Sequence, residues 1–323
     1  MDLQAYKDLF ITYLQSQVAV KEPKQLYEPI NYILDLGGKR MRPILVMMAI
    51  KAFEKEIEQG LPAALAVEVF HNFTLLHDDI MDAAPLRRGK ATVHEKWDEN
   101  TAILSGDAMM IMANQYFEQY EGDLYKKLMV LFQKTALEVC EGQQYDMDFE
   151  NRNDVTLAEY IEMIKLKTSV LVAAALKMGA IIAGSSDQEA QAMYDYGLNL
   201  GLAFQLQDDY LDAFGDPKTF GKQIGGDIIE NKKTYLVLKT KAALKGDDLE
   251  TFNQDYNQNP SDPTEKIQRV KILFEKSGAV KAIKAEIKSY TQKAFEVLAQ
   301  LSISEQAKQE LVAFGEFLMK RSV

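Results

Sequence analysis

Apolar residues recur along this chain at intervals of three and four over long stretches, with no convincing series of strict alternation. That spacing predicts helices, because positions three and four apart share one helical face. Helix starts are legible. Thr156 with Glu159, and Ser186 with Glu189, have the capping-box pattern. Asp262-Pro263-Thr264-Glu265 places an acidic cap before a proline at a first helical position. Leu61-Pro62 opens a helix expected to run through Phe70 and His77 into Asp82. A second long helix is expected to carry Asp208 to Asp212 and to stop near Gly215-Asp216-Pro217. Breaks fall near Gly37-Gly38, from Pro85 to Lys90, from Asn151 to Asp154, at Gly184, from Gly215 to Asn231 and from Asn257 to Pro263. None has the composition of a flexible interdomain linker. The pattern predicts one all-α domain over residues 1–323, with about ten or more helices.

Composition narrows the class. Hydrophobic residues make up 47%, enough for a substantial core, while Gly and Pro number only 18 and 8. The formal net charge of −11 argues against a general nucleic-acid binder, which would present a basic face. An anionic substrate stays open, because bound metals can reverse the local sign. Cys140 is the only cysteine, so there is no internal disulfide and no thiolate zinc cluster. It reads as a small core residue. The start Met1-Asp2-Leu3-Gln4 lacks the basic-then-apolar order of a signal peptide. No apolar run reaches the ~18 residues needed to span a bilayer. The expectation is a soluble cytoplasmic protein without a membrane span.

Candidate chemistry concentrates in two clusters of the form D-D-x-x-D: Asp78-Asp79-Ile80-Met81-Asp82 and Asp208-Asp209-Tyr210-Leu211-Asp212. Each ends a strongly apolar stretch. On a helix, Asp78 and Asp82 project from one face, as do Asp208 and Asp212. Asp79 and Asp209 sit roughly 100° round, placed to support a ligand. Carboxylates at helix C-termini oppose the macrodipole, so two such clusters call for a compensating cation. Oxygen ligands suit Mg²⁺, which prefers to share its site with phosphate. If the clusters face each other, they would hold several divalent ions and the phosphates that those ions bridge.

Three basic clusters lie where loops are expected. They are Gly37-Gly38-Lys39-Arg40-Met41-Arg42-Pro43, Leu86-Arg87-Arg88-Gly89, and Gly221-Lys222-Gln223-Ile224-Gly225-Gly226-Asp227 continuing to Asn231-Lys232-Lys233. Arg forks bind phosphate oxygens in bidentate fashion, and Lys supplies a point charge. With the twin aspartates they suggest a pocket for two diphosphates. The segment from Gly215 to Thr234 is long for a loop in a compact helical domain and reads as a mobile lid.

At this point the chain resembles the trans-type isoprenyl diphosphate synthases, the polyprenyl synthetase family. The residues that carry the resemblance are Gly38 to Pro43, His71, Asp78 to Asp82, Arg87-Arg88-Gly89, Gly142-Gln143 with Asp146, Lys167-Thr168, Phe204-Gln205, Asp208 to Asp212, and Gly221-Lys222 with Lys232. The resemblance implies a single large helical bundle with a central apolar cavity between antiparallel helices. It implies a head-to-tail (1'-4) condensation of isopentenyl diphosphate with an allylic diphosphate. By that likeness Asp78, Asp82 and Asp208 would ligate three Mg²⁺, supported by Asp79, Asp209 and Asp212. Arg87, Lys167, Lys222 and Lys232 would grip the allylic diphosphate. Gly38, Lys39, Arg42, His71 and Arg88 would hold isopentenyl diphosphate, and Gln143 belongs with the substrate residues. Thr168 and Gln205 would set their oxygens near the developing cation, with Phe204 packed on the homoallylic substrate. The departing diphosphate would take the proton. His94 reads as structural and His77 as a helix-packing residue. A homodimer is implied, through helices such as Ala102 to Tyr116.

Product length should depend on bulk below the first aspartates. Phe73 lies five residues before Asp78, about 7.5 Å along a helix. Phe70 lies a further turn down, and Thr74 leaves one side open. In the family, the Phe73-Thr74 pair resembles short-chain geranylgeranyl-type members, so C20 is expected ahead of C15. A terpene cyclase would carry N-D-x-x-S-x-x-x-E in place of the second cluster. A non-catalytic regulatory subunit would lack one cluster. A simple Mg²⁺- or Ca²⁺-binding protein would not need the Lys and Arg ring.

Overall fold

The structure, a computed structural model, describes residues 3–216 and 224–320. It is 79% helical, as the three-and-four spacing predicts. Among the described residues the only strands are Leu86–Arg87 and Lys90–Ala91, an antiparallel hairpin where a plain loop was expected. Its turn residues Arg88 and Gly89 both have positive φ, 52° and 75°. That geometry fits a two-residue hairpin loop. Arg-Gly is a weaker signal for it than Asn-Gly.

Contacts gather the chain into two compact units. One comprises Met1–Lys134 and Ala174–Tyr194, the other Thr135–Ala173 and Asp195–Val323. In the first, helix Leu61–Met81 is buried on every side from Ala63 to Phe70. A helix apolar all round belongs at the centre of its unit. It packs along helices Met41–Ala52 and Glu99–Tyr116. Proline in the first turn starts it, as expected from Leu61-Pro62. Its end is a Schellman motif: Ala83 N–H donates to the Ile80 carbonyl and Ala84 N–H to the Asp79 carbonyl. Ala83 has φ 47°, a left-handed conformation costing an L-residue about 1–2 kcal/mol. The reversal turns the chain into the hairpin that carries Arg87.

In the second unit, helix Tyr235–Ala243 packs on helix Ala279–Gln300. Leu206, Tyr210, Leu236, Phe252, Val270, Phe274 and Ile283 form part of one buried cluster there. Both expected capping boxes are present, Thr156 with Glu159 and Ser186 with Glu189. At the third start, the helix begins at Thr264, so Pro263 stands one place earlier than expected. Asp262 accepts from the Thr264 backbone N–H at 3.0 Å. Among the described residues, no helix is long and apolar enough to cross a membrane.

Candidate active site

Helix Leu61–Met81 ends on the first aspartates, and the hairpin returns Arg87 over them. Arg87 Nε donates to Asp79 Oδ2 at 2.7 Å, and its terminal nitrogen lies 2.7 Å from Asp79 Oδ1 and 3.6 Å from Asp78 Oδ2. Asp79 is buried, whereas Asp78 is half-buried and Asp82 exposed. Burial raises the Asp79 carboxyl above its ordinary value, against the pull of Arg87. Part of the positive charge that this helix end needs is therefore supplied by the protein itself.

Arg88 of the hairpin belongs to an arginine-rich cluster around His71. Arg42 donates to His71 Nε2 at 3.0 Å, which fixes the proton of a neutral imidazole on Nδ1. Burial first, then Arg42, Arg88, Arg87 and Arg40, hold His71 well below its ordinary value, so it is neutral at pH 7. The Nε atoms of Arg40 and Arg42 are buried without a hydrogen-bond partner. Arg88 donates to the Gly37 carbonyl. Gly38 has φ 125°, and a Cβ there would stand 2.8 Å from an Arg88 nitrogen. The glycine thus makes room for Arg88 as well as for any ligand.

Arg40 departs from the expected loop cluster. It turns inward from a left-handed backbone (φ 53°) and pairs with Glu68 at 2.5 Å. It also donates to the Leu34 carbonyl. Asn72 Nδ2 donates to Glu68 Oε1 at 3.2 Å. Glu68 and Asn72 were missed from sequence. The available signal was a lone carboxylate in the apolar run Ala63 to Phe70, which must be paired if buried.

In the second unit, residues Lys165–Ser169 form a single π-helical turn after helix Leu157–Ile164. Such one-turn bulges recur at functional sites, and this one carries Lys167 and Thr168. Lys167 Nζ donates to Asp146 Oδ2 at 2.6 Å. A Cβ on Gly142 would stand 2.2 Å from the Lys167 backbone nitrogen, so only glycine lets the π turn lie this close to helix Gly122–Asn151. Gln143 is half-buried on the same helix, as is Phe204 on helix Asp187–Phe214.

Asp209 is buried among donors. Tyr160 donates to its Oδ2, and Gln205 Nε2 to its Oδ1 at 3.4 Å. Gln205 Oε1 in turn accepts from Thr168 at 3.4 Å. Burial raises the Asp209 carboxyl well above its ordinary value, with Asp227 and Asp208 adding repulsion. Asp208 and Asp212 are half-buried. Among the described residues, no group of three or more His, Cys, Asp or Glu side chains is gathered closely enough to hold a metal ion. The donors are nevertheless all carboxylate oxygens, and the crowding of Asp208, Asp209 and Asp227 is what a hard divalent cation relieves.

Asp212 reaches the segment expected to be a mobile lid. Its carbonyl accepts from Gly225 N–H at 2.6 Å and its Oδ2 from Asp227 N–H at 3.1 Å. The described part of that segment is no plain loop, because it contains helix Gly226–Ile229. Gly221 and Lys222 lie outside the described residues. Lys232 Nζ pairs with Glu230 at 3.1 Å, and Lys233 Nζ donates to the Glu150 carbonyl at 2.7 Å. Lys39 is exposed.

The residues chosen for product length form part of an aromatic column. Ring centroids are 5.6 Å apart for Phe73 and Phe70, 5.3 Å for Phe70 and Phe132, and 5.0 Å for Phe132 and Phe117. Phe73 is half-buried, while the other three are fully buried. Thr74 donates to the His71 carbonyl at 2.8 Å. His77 meets the Phe73 ring edge-on at 4.7 Å and contacts the Ile103 carbonyl at 3.2 Å, a helix-packing position as expected. The His94 side chain is 8% exposed. Cys140 corrects its expectation: it is exposed. It shares the outer face of helix Gly122–Asn151 with Gln133, Leu137 and Gln144, while Ala136, Val139 and Gly142 face inward. One small side chain could not reveal that helical phase.

The profile of the polyprenyl synthetase family matches residues 23–273. A geranylgeranyl diphosphate synthase of Methanosarcina mazei is 45% identical, over 73% of this chain and 72% of its own length. A geranylfarnesyl diphosphate synthase of Natronomonas pharaonis is 37% identical over 96% of this chain and 94% of its own length. A crystal structure of a geranylgeranyl pyrophosphate synthase superposes with a TM-score of 0.95 at 55% identity, covering 99% of both chains. The corresponding enzyme of Pyrococcus horikoshii gives 0.92 at 33%, over 99% of this chain and 97% of its own. With the aspartate-bearing helix ends, the arginine pocket and the Lys167 turn in place, these matches show that the chain belongs to the polyprenyl synthetase family.

Proposed function

We propose that the protein joins isopentenyl diphosphate head to tail with an allylic diphosphate (dimethylallyl, geranyl or farnesyl) and that its principal product is geranylgeranyl diphosphate. The observation that carries this is the neutral, half-buried His71, which accepts from Arg42 at 3.0 Å and feels the charges of Arg88, Arg87 and Arg40. Guanidinium groups held this close, some with buried N–H unbonded, are poised for a polyanion. A neutral imidazole adds a hydrogen-bonding group without adding another cation. We assign isopentenyl diphosphate to Gly38, Lys39, Arg42, His71 and Arg88.

The allylic diphosphate falls to Arg87, Lys167, Lys222 and Lys232. Asp78, Asp82 and Asp208 would hold magnesium, three ions per site. Asp79, Asp209 and Asp212 support them, tied as they are to Arg87, to Tyr160 with Gln205, and to Asp227. Magnesium held there would supply Lewis-acid stabilisation of the leaving diphosphate's charge. Thr168 and Gln205 turn oxygens toward the developing cation. The isopentenyl double bond then attacks the allylic carbon, forming the new C–C bond, and the departing diphosphate takes the proton that restores the alkene. We propose that residues 1–323 work as a single prenyl synthase domain in the cytoplasm.

The C20 assignment draws on Phe73 backed by Phe70, and on the 45% and 55% identical relatives that bear the geranylgeranyl name. The test is chromatography of the product made from isopentenyl and dimethylallyl diphosphates, with and without Mg²⁺. A Mg²⁺-dependent C20 product is expected, and no condensation at all would remove the proposal. In the same assay Phe73→Ala should lengthen the product, with Phe70 and Phe132 forming the next barrier. An unchanged carbon count would remove Phe73 as the floor.

We propose that a second copy of the chain covers helix Glu99–Tyr116, where Ile103, Leu104 and Ile111 are 44%, 60% and 62% exposed. Three large apolar side chains on one helix are a poor face to leave in water. Light scattering should return twice the 36.5 kDa chain mass, and Leu104→Glu with Ile111→Lys should halve it. A wild-type protein of single-chain mass would rule the dimer out.

A further inference from the structure

We propose that Lys266 is a positioning residue for the segment that presents Lys232 and clasps Asp212. The proposal rests on the roles given above to those two residues. Lys266 lies on helix Thr264–Lys276 and is 1% exposed. An ammonium so deeply buried ordinarily faces a carboxylate. Among the described residues none is paired with it. Its Nζ donates instead to Asn231 Oδ1 at 2.5 Å and to the Ile229 carbonyl at 3.5 Å, and it stands 5.5 Å from the Tyr256 ring centroid. A methionine would fill the same space without the cost of desolvating a charge. What the lysine adds is a grip on the backbone between Asp227 and Lys232.

Tyr256, on helix Asp247–Tyr256, completes the grip. Its hydroxyl lies 2.5 Å from the Lys232 carbonyl and 3.3 Å from that of Asp227. Asn231 has φ 58°, a strained conformation that needs outside support, and its amide also donates to Asn259 at 3.0 Å. On the other side the segment is bonded to Asp212 through Gly225 N–H and Asp227 N–H. The short helix Gly226–Ile229 is thus held between an aspartate of the second cluster and two side chains that touch no reacting atom. Burial keeps the Lys266 ammonium below its ordinary value, consistent with a group enclosed by protein.

The test is steady-state kinetics of the full chain with each substrate varied in turn, alongside thermal unfolding. Lys266→Met should raise KM for the allylic diphosphate about tenfold, the scale of one misplaced charge-assisted contact. KM for isopentenyl diphosphate should stay within about twofold, since removing a buried ammonium leaves the arginine pocket intact. Tm should not fall, because a desolvation cost is relieved. Tyr256→Phe keeps the ring and removes the hydroxyl, so it should shift the same KM in the same direction. It carries the test should Lys266→Met fail to fold. Unchanged KM values in the folded variants would overturn the role, and so would equal rises for both substrates accompanied by a fall in Tm. Wild-type protein that fails to condense the two substrates would instead overturn the function itself.

Discussion

Asp78→Ala is expected to lower kcat/KM roughly a thousandfold or more, equivalent to about 4 kcal/mol of lost transition-state stabilisation. Diphosphate is a poor leaving group unless its charge is met as it develops. Asp78 is half-buried and contacts Arg87 only at 3.6 Å, so its removal leaves the tighter Arg87–Asp79 pair in place. Thermal stability should therefore change little while turnover collapses. Asp208→Ala should behave alike if both clusters serve one diphosphate, and raising Mg²⁺ should recover only part of either loss. Asp79→Asn should differ, because Asp79 is bonded by Arg87 and its loss disturbs the hairpin as well. Steady-state kinetics over a Mg²⁺ titration decides the matter. Turnover of Asp78→Ala within tenfold of wild type would exclude it as a metal ligand.

The largest stability effect is expected at the Arg40–Glu68 pair. Its side chains are 1% and 4% exposed, so neither charge has water to fall back on. Glu68→Ala should destabilise the fold by roughly 3–5 kcal/mol, because it leaves the Arg40 guanidinium buried and uncompensated. Asn72 would lose an acceptor in the same step. Arg40→Met should cost a similar amount by stranding Glu68. The double variant Arg40→Met with Glu68→Leu should be less destabilised than either single one, since well-packed apolar groups can replace a buried pair at little cost. Denaturant midpoints of the four proteins measure this coupling. Single variants within about 1 kcal/mol of wild type would show that the pair contributes little.

Much of the fold was legible because helix periodicity and start signals are local. Thr156 and Ser186 mark their helices through bonds within one turn, and Pro62 marks its own through a fixed φ and a missing N–H. The hairpin was not legible, since Arg88-Gly89 resembles an ordinary basic loop until its φ angles are known. Nor was the π turn at Lys165–Ser169, which depends on Gly142 admitting a close backbone. Arg40 and Arg42 look equivalent two residues apart, yet one braces the core through Glu68 and the other faces His71. Cys140 failed for a related reason: a residue's helical phase is settled by what the neighbouring helices cover.

Residue order was enough to predict an all-α fold and, through its resemblance to the polyprenyl synthetase family, a prenyl synthase, because spacing along a helix and the succession of acidic and basic motifs are properties of the chain. Which charges answer which could not be read there. Asp79 meets Arg87, Asp209 meets Tyr160, Lys167 meets Asp146, and Lys266 supports residues 229–232. These partners stand between 8 and 49 positions apart, and folding brings them together in a medium where a charge or polar group left without a partner is costly.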